Sequence, residues 1–296
     1  MRAVIIVGDY AGRVLGTTLR AGGHSSLAVA RRADSHAAMA RRAITPAAAD
    51  ITQPATVDAL PDAEWVVVAV SSGGGDAAAA RAVFETGLTT VIDSYAGRQM
   101  PPDRLVYTSS SSVYGDRDGA WVDETTAPAP QTEKTAVLAR AEEVAIDHSA
   151  AAGLDGTVCR FAGLYGPGRY RLGRYLDETV TGGYLNMVHR VDAAGAIAHL
   201  LQSDRGRGQV VNVVDDRPVD RHAFARTLAQ LAGVTPPRRQ PLRDRLADAS
   251  LSAGARRRLA AQKRVSNGRL RSLGYRLRHP TFRSGYATPL AQRHRG

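Results

Sequence analysis

The residues with the greatest chemical potential are a run of hydroxyls, Thr108-Ser109-Ser110-Ser111-Ser112, closed by Val113-Tyr114-Gly115. They follow Leu105-Val106-Tyr107, an apolar run that reads as a buried strand. Hydroxyls at the carboxyl end of such a strand can hold a substrate carbonyl or alcohol and steady a developing oxyanion. A second group stands near the start, Val7-Gly8-Asp9-Tyr10-Ala11-Gly12, between a short apolar strand and a helical run from Arg13. Glycines there let the backbone turn and let a pyrophosphate approach the helix N-terminus. Asp9 opposes this by placing a carboxylate beside the expected phosphates. Arg31 and Arg32 end the second strand, where guanidinium groups suit a ribose 2′-phosphate and so favour NADP over NAD.

Positioning such groups requires a sheet with helices packed on both faces. Strand-like runs at Ala3–Val7, Leu27–Ala30, Trp65–Val70, Arg104–Thr108 and Thr157–Arg160 alternate with helical runs at Arg13–Ala21, Asp76–Tyr95 and Glu133–Ala151. A poorer strand is expected between Ile44 and Ile51. This alternation predicts an α/β fold, a Rossmann-type doubly wound parallel sheet with a smaller C-terminal substrate lobe. The expected division is a dinucleotide-binding core over 1–162 and a lobe over 163–296, with some segments returning to the core. Beyond the turn-rich Gly163–Gly168, a helix near Asp192–Gln202, a strand at Val210–Val214, a helix near Arg221–Ala232 and a charged helical stretch over 243–262 are expected.

The serine run with its Val-Tyr-Gly resembles the serine motif of the extended short-chain dehydrogenase/reductase (SDR) family. Further segments fit the same pattern in order: Arg160–Gly168, Asn186–Asp192, Val211–Val214 with Pro218, and Lys263–Asn267 before Leu273-Gly274-Tyr275. The resemblance is to an atypical subgroup of NAD(P)-dependent epimerase/dehydratase-like proteins. It implies that Ser110 holds the place of the catalytic serine, and that Gly8, Tyr10, Ala11 and Gly12 form the cofactor loop. It also implies that Asp50-Ile51 contacts adenine and that Val70-Ser71-Ser72 lines the nicotinamide side. Pro167–Tyr175, Asn186 and the C-terminal lobe would frame the substrate. His189 and Asp192 would be structural, and no metal is expected.

The family's proton donor is a tyrosine with a lysine one turn later. Aligning the helix on Glu142 puts Lys134 at the tyrosine position and Leu138 at the lysine position, and no tyrosine occurs between Tyr114 and Tyr165. Three readings stay open: Lys134 as donor, Tyr114 or Tyr165 reaching the substrate from another direction, or no hydride transfer at all. The expected function is an NAD(P)-dependent oxidoreductase or epimerase/dehydratase-like enzyme on a polar small molecule, nucleotide-sugar-like or a natural-product intermediate. The alternative is a redox-silent protein of the same fold: a nucleotide sensor, a scaffold, or a catalyst of elimination or cyclisation. NADP is the expected cofactor, with NAD or none as the other outcomes.

Charge separates the two halves. From Pro236 onward sixteen Lys/Arg face two Asp/Glu, whereas the overall net charge is +11. Few aromatics accompany these arginines and no nucleic-acid motif appears, so a solvated basic surface is expected over a nucleic-acid interface. The single cysteine, Cys159, excludes an internal disulfide and fits a reducing compartment. No stretch approaches the roughly 18 apolar residues of a membrane span, and Met1–Val7 reads as a strand. A cytoplasmic protein with a small-molecule substrate is expected, and a homodimer is compatible with the sequence.

Overall fold

A computed structural model describes residues 1–7, 10–31, 39, 44–71, 76–177 and 179–293. The chain divides into two compact units. The first comprises Met1–Val113, Pro130–Phe161 and Ala193–Val211, and the second Tyr114–Ala129, Ala162–Asp192 and Asn212–Gly296. Residues 114–129, expected in the core, thus pack with the second unit, and 193–211 return to the first.

The sheet contains β1 (Arg2–Val7), β2 (Ser25–Val29), β3 (Thr45–Ala47), β4 (Trp65–Ala69) and β5 (Arg104–Ser110), together with strands Gly156–Phe161 and Val210–Val213. From one edge the order is Val210–Val213, Gly156–Phe161, β5, β4, β1, β2, β3. This is the doubly wound order, with its reversal between β1 and β4. Pairing is parallel, with Val7 opposite Ala69, Val29 opposite Ala47 and Val68 opposite Tyr107. The carboxyl ends of β1, β2, β4 and β5 therefore share one edge. Ala3, Val4 and Ile5, and Val66, Val67 and Val68, are all fully buried. Continuous apolar runs of this kind belong to a sheet covered on both faces.

Each expected strand is present, with ends moved by a few residues. The poorer one shrinks to β3, which contains Pro46 and lies at the edge, where a missing N–H is tolerated. The two long helices expected over 76–95 and 133–151 are each interrupted by a π-turn, at Ala82–Thr86 and Val144–His148. The second presses on the sheet so closely that a Cβ at Gly156 would stand 1.7 Å from the Ala145 carbonyl oxygen.

The second unit is built from short ribbons. Trp121–Val122 pairs in parallel with Arg264–Val265, and Gly163–Tyr165 with Met187–His189. Thr179–Thr181 pairs with Arg238–Gln240, and Tyr184–Leu185 runs antiparallel to Val219–Asp220. Its core holds Tyr165, Met187, Phe224, Leu228, Phe282 and Tyr286. The charged stretch over 243–262 is two short helices, Leu242–Ala247 and Ala253–Ala260, and neither buries a residue. Among the described residues no helix is long and apolar enough to cross a membrane.

Candidate active site

In the first unit, the helix after β1 runs from Ala11 to Ala21, and its cap residue Tyr10 makes no side-chain cap hydrogen bond. No acidic residue occupies its first turn, and Ala11 and Gly12 are buried there. Main-chain N–H groups at such an end, unopposed within the helix by acid, suit a phosphate. Gly8, Arg32 and Ser72 lie outside the described residues.

Arg31, at the end of β2, is 62% exposed in its side chain and stands 3.5 Å from the Asp50 carboxylate. Asp50 also accepts hydrogen bonds from the Thr52 amide (3.0 Å) and hydroxyl (2.8 Å). Burial alone would raise its pKa; the Thr52 hydrogen bonds and the Arg31 charge outweigh that and lower it. An exposed pair of this kind holds the guanidinium weakly, so it can turn to an incoming phosphate. The Ile51 side chain is buried and packs against Gly87. Val70 and Ser71 follow β4 at the same sheet edge, Val70 half-buried and Ser71 exposed.

The serine run splits by strand alternation. Ser109 is buried and donates to Glu142 Oε1 at 2.6 Å. Ser110, half-buried, turns the other way, and its Oγ accepts the Ser112 amide at 3.2 Å. That bond turns the chain into the 3-10 turn Ser111–Tyr114 and leaves the hydroxyl proton free to donate. Glu142 is held by Arg160 through Nε (3.0 Å to each oxygen) and a second nitrogen at 2.6 Å. The pair is buried and fixes the helix from Glu133 against β5 and the neighbouring strand. Thr132 and Thr135 form a reciprocal capping box at that helix's start, and Lys134, half-buried, stands in its first turn. Ser110 and Lys134 share the first unit, with no hydrogen bond between them among the described residues.

Tyr114 and Tyr165 belong to the second unit. The Tyr114 hydroxyl is buried, 2.9 Å from both the Asp123 carbonyl and Asn212 Oδ1, so its proton is committed to one of them. Tyr165 stacks on Tyr286 at 5.0 Å and meets His189 edge-on at 5.2 Å. Its hydroxyl is buried without a hydrogen-bond partner among the described residues. Burial, then the Asp215 carboxyl, pushes its pKa upward, which makes it a weaker acid.

Two features were legible in the sequence only in part. His189, Asp192 and His279 converge, with ligand-capable atoms within 4.8 Å of one another. Asp192 accepts the backbone amides of Arg278 (2.6 Å) and His279 (2.9 Å), so it ties the loop before the last helix to its own helix. His279 is 87 residues away in sequence and carries no spacing signal. Lys263 is the other: it lies buried, its ammonium 2.8 Å from the Gly115 carbonyl oxygen.

A sequence profile of the NAD dependent epimerase/dehydratase family matches residues 4–214. Protein YeeZ of Escherichia coli K12 is 36% identical over 189 residues, covering 61% of this chain and 64% of YeeZ. The chain thus spans less than two-thirds of that curated relative's length. A UDP-glucose 4-epimerase of Thermotoga maritima, solved with UDP-glucose, superposes with a TM-score of 0.80 at 15% identity, covering 100% of this chain and 99% of that one. The human epimerase family protein SDR39U1, solved with NADPH, gives 0.75 at 16% identity over 98% and 99% of the two chains. These two likenesses are of fold. With the sheet order, the serine strand and the profile in agreement, this chain belongs to the NAD dependent epimerase/dehydratase family of extended short-chain dehydrogenase/reductases.

Proposed function

We propose that the protein is an NADP-linked enzyme that carries out a redox or redox-assisted step on a polar small molecule of nucleotide-sugar type. The observation that carries this reading is the placement of Arg31, Ser110 and the N-terminus of the first helix at Ala11 along one carboxyl edge of the sheet. The binding of NADPH by SDR39U1 and of UDP-glucose by the Thermotoga epimerase supports the two ligand classes. Ala11 and Gly12 would hold the pyrophosphate and Arg31 the 2′-phosphate. Bound there, the nicotinamide supplies hydride chemistry.

Ser110 donates a hydrogen bond to the substrate oxygen, steadying the negative charge that this oxygen gains as hydride arrives at its carbon, or carries before hydride leaves it. The oxygen then needs a proton exchanged. Tyr114 holds its proton on protein acceptors, and burial holds back that of Tyr165. Lys134 is the candidate left in the unit that carries Ser110, and we assign it the exchange.

The test follows absorbance at 340 nm when the NADP-loaded protein meets UDP-glucose and UDP-glucuronate. Ser110→Ala should lower the rate roughly 10²-fold, and Lys134→Met by about 10²-fold or more. A rate unchanged in Ser110→Ala removes the serine from the reaction, and one unchanged in Lys134→Met removes the lysine.

A further inference from the structure

We propose that His189, Asp192 and His279 form a binding site for one divalent transition-metal ion of the zinc class. The site lies in the second unit and stands independently of the cofactor and substrate assigned above. It gives His189 and Asp192 more than the structural part expected of them. Two imidazole nitrogens and one carboxylate oxygen suit zinc and its neighbours in the first transition row, and suit magnesium or calcium poorly.

The three residues arrive from different elements: the end of strand Met187–His189, the first turn of helix Arg190–Gln202, and the segment just before helix Phe282–Arg293. One ligand-capable atom from each falls within 4.8 Å of the other two. An ion with bonds of about 2.0–2.2 Å holds tetrahedral ligand atoms roughly 3.5 Å apart. The widest pair must therefore close by at most about 1.3 Å, and rotation of an imidazole about its broad outer torsion supplies that. His189 and Asp192 are both buried. The Asp192 carboxylate accepts the Arg278 and His279 amides and, at 3.4 Å, the Tyr275 hydroxyl. Those bonds orient it and still leave oxygen lone pairs for a cation. The His189 ring stands edge-on to Tyr165, which stacks on Tyr286, and lies 4.1 Å from the His279 ring. Neighbours that fix the ligands in this way are what a metal site requires of its surroundings.

His279 provides the observation that asks for a ligand. Its Nδ1 is buried and has no hydrogen-bond partner among the described residues. A buried polar atom in that state is costly, and an ion completes it. His189 is lightly engaged as well: the Val191 amide approaches its Nδ1 at 3.4 Å, near the limit of a hydrogen bond. An ion also has a way in. A surface cavity of about 570 Å³, whose lining includes Asp216, Tyr275 and Pro280, adjoins the cluster, since Tyr275 donates to Asp192 and Pro280 follows His279. Bound there, the ion cross-links the segment before the last helix to the strand and helix that carry His189 and Asp192.

The experiment is calorimetric titration of the untagged full chain, stripped of metal by a chelator, with zinc chloride. One ion should bind per chain, and saturation should raise the thermal unfolding midpoint by several degrees. His279→Phe keeps a ring against His189 and removes the nitrogen. It should lose at least about a hundredfold in zinc affinity, and with it the thermal shift. Cobalt(II) in place of zinc should show the visible bands of a tetrahedral nitrogen–oxygen site in wild type and not in the variant. Absence of a single stoichiometric site in wild type, or equal zinc affinity in His279→Phe, overturns the proposal and leaves the cluster a structural tie. If His279→Phe does not fold, the wild-type cobalt spectrum decides: tetrahedral bands support the site, and an octahedral spectrum means an adventitious ion only. NADPH binding is measured separately, so its failure bears on the cofactor reading alone.

Discussion

At the scale of single residues, environment decides which members of one chemical set are usable. Ser109 and Ser110 are the same side chain, yet one is consumed by Glu142 and the other keeps a proton to give. The sequence marked the run, and strand alternation chose between its members. Carboxyls and imidazoles in the second unit are sorted in the same way. Burial, then the charges of Asp216 and Asp192, pushes the Asp215 pKa from 3.8 up to about 8. Burial, then His279 and Arg190, pushes the His189 pKa from 6.5 down to about 4. Between about pH 4 and 6.5 the folded state binds an extra proton at Asp215 and lacks one at His189, so the two effects on stability oppose each other. From about pH 6.5 to 8 only Asp215 contributes, its folded form binding more protons than its unfolded form, and stability falls as pH rises. Urea midpoints at pH 6.5 and 8 should show that fall in wild type and a much smaller one in Asp215→Asn. An equal fall in both would mean that Asp215 is already ionised at neutral pH.

At the scale of elements, the buried pair Glu142–Arg160 fastens the Lys134 helix to the serine strand's neighbour. Removing one partner leaves an uncompensated buried charge, so Glu142→Leu should cost about 3–5 kcal/mol in urea denaturation. Adding Arg160→Met to that variant should restore most of the loss, whereas a second loss of similar size would show that the pair is not coupled. The elements themselves were largely legible. β1 and β4 announce themselves by unbroken apolar runs and β5 by the shorter Leu105-Val106-Tyr107, as strands of a sheet buried on both faces do. The π-turns were not, since Ala82–Thr86 and Val144–His148 keep the composition of ordinary helix and differ only in how they pack. Lys263 belongs to a segment that fits the family pattern, but nothing near it in sequence signals the Gly115 carbonyl 148 residues away. Contacts of that separation are set by topology, and local pattern carries no trace of them.

At the scale of the whole molecule, the expected core over 1–162 and the two observed units differ because the chain crosses between them repeatedly. The hydrophobic pattern dates each crossing poorly, as residues 114–129 lie between a strand and a helix that both belong to the first unit. The excess of positive charge lies in the second unit, where Pro236 to the end is continuous. Some of those arginines serve the fold: Arg256 donates to the carbonyls of Leu246, Leu251 and Asp248. The proposed cofactor site lies in the first unit, where a helix N-terminus and one arginine would hold a phosphorylated dinucleotide. Fluorescence titration of the full chain with NADPH and NADH, repeated on Arg31→Ala, tests it most directly. Wild type should bind NADPH about tenfold tighter than NADH, and Arg31→Ala should remove roughly that factor, ~1.4 kcal/mol, from NADPH while leaving NADH unchanged. Equal weakening of both would reject the role given to Arg31, and failure to bind either would contradict the account of this protein as a dinucleotide enzyme.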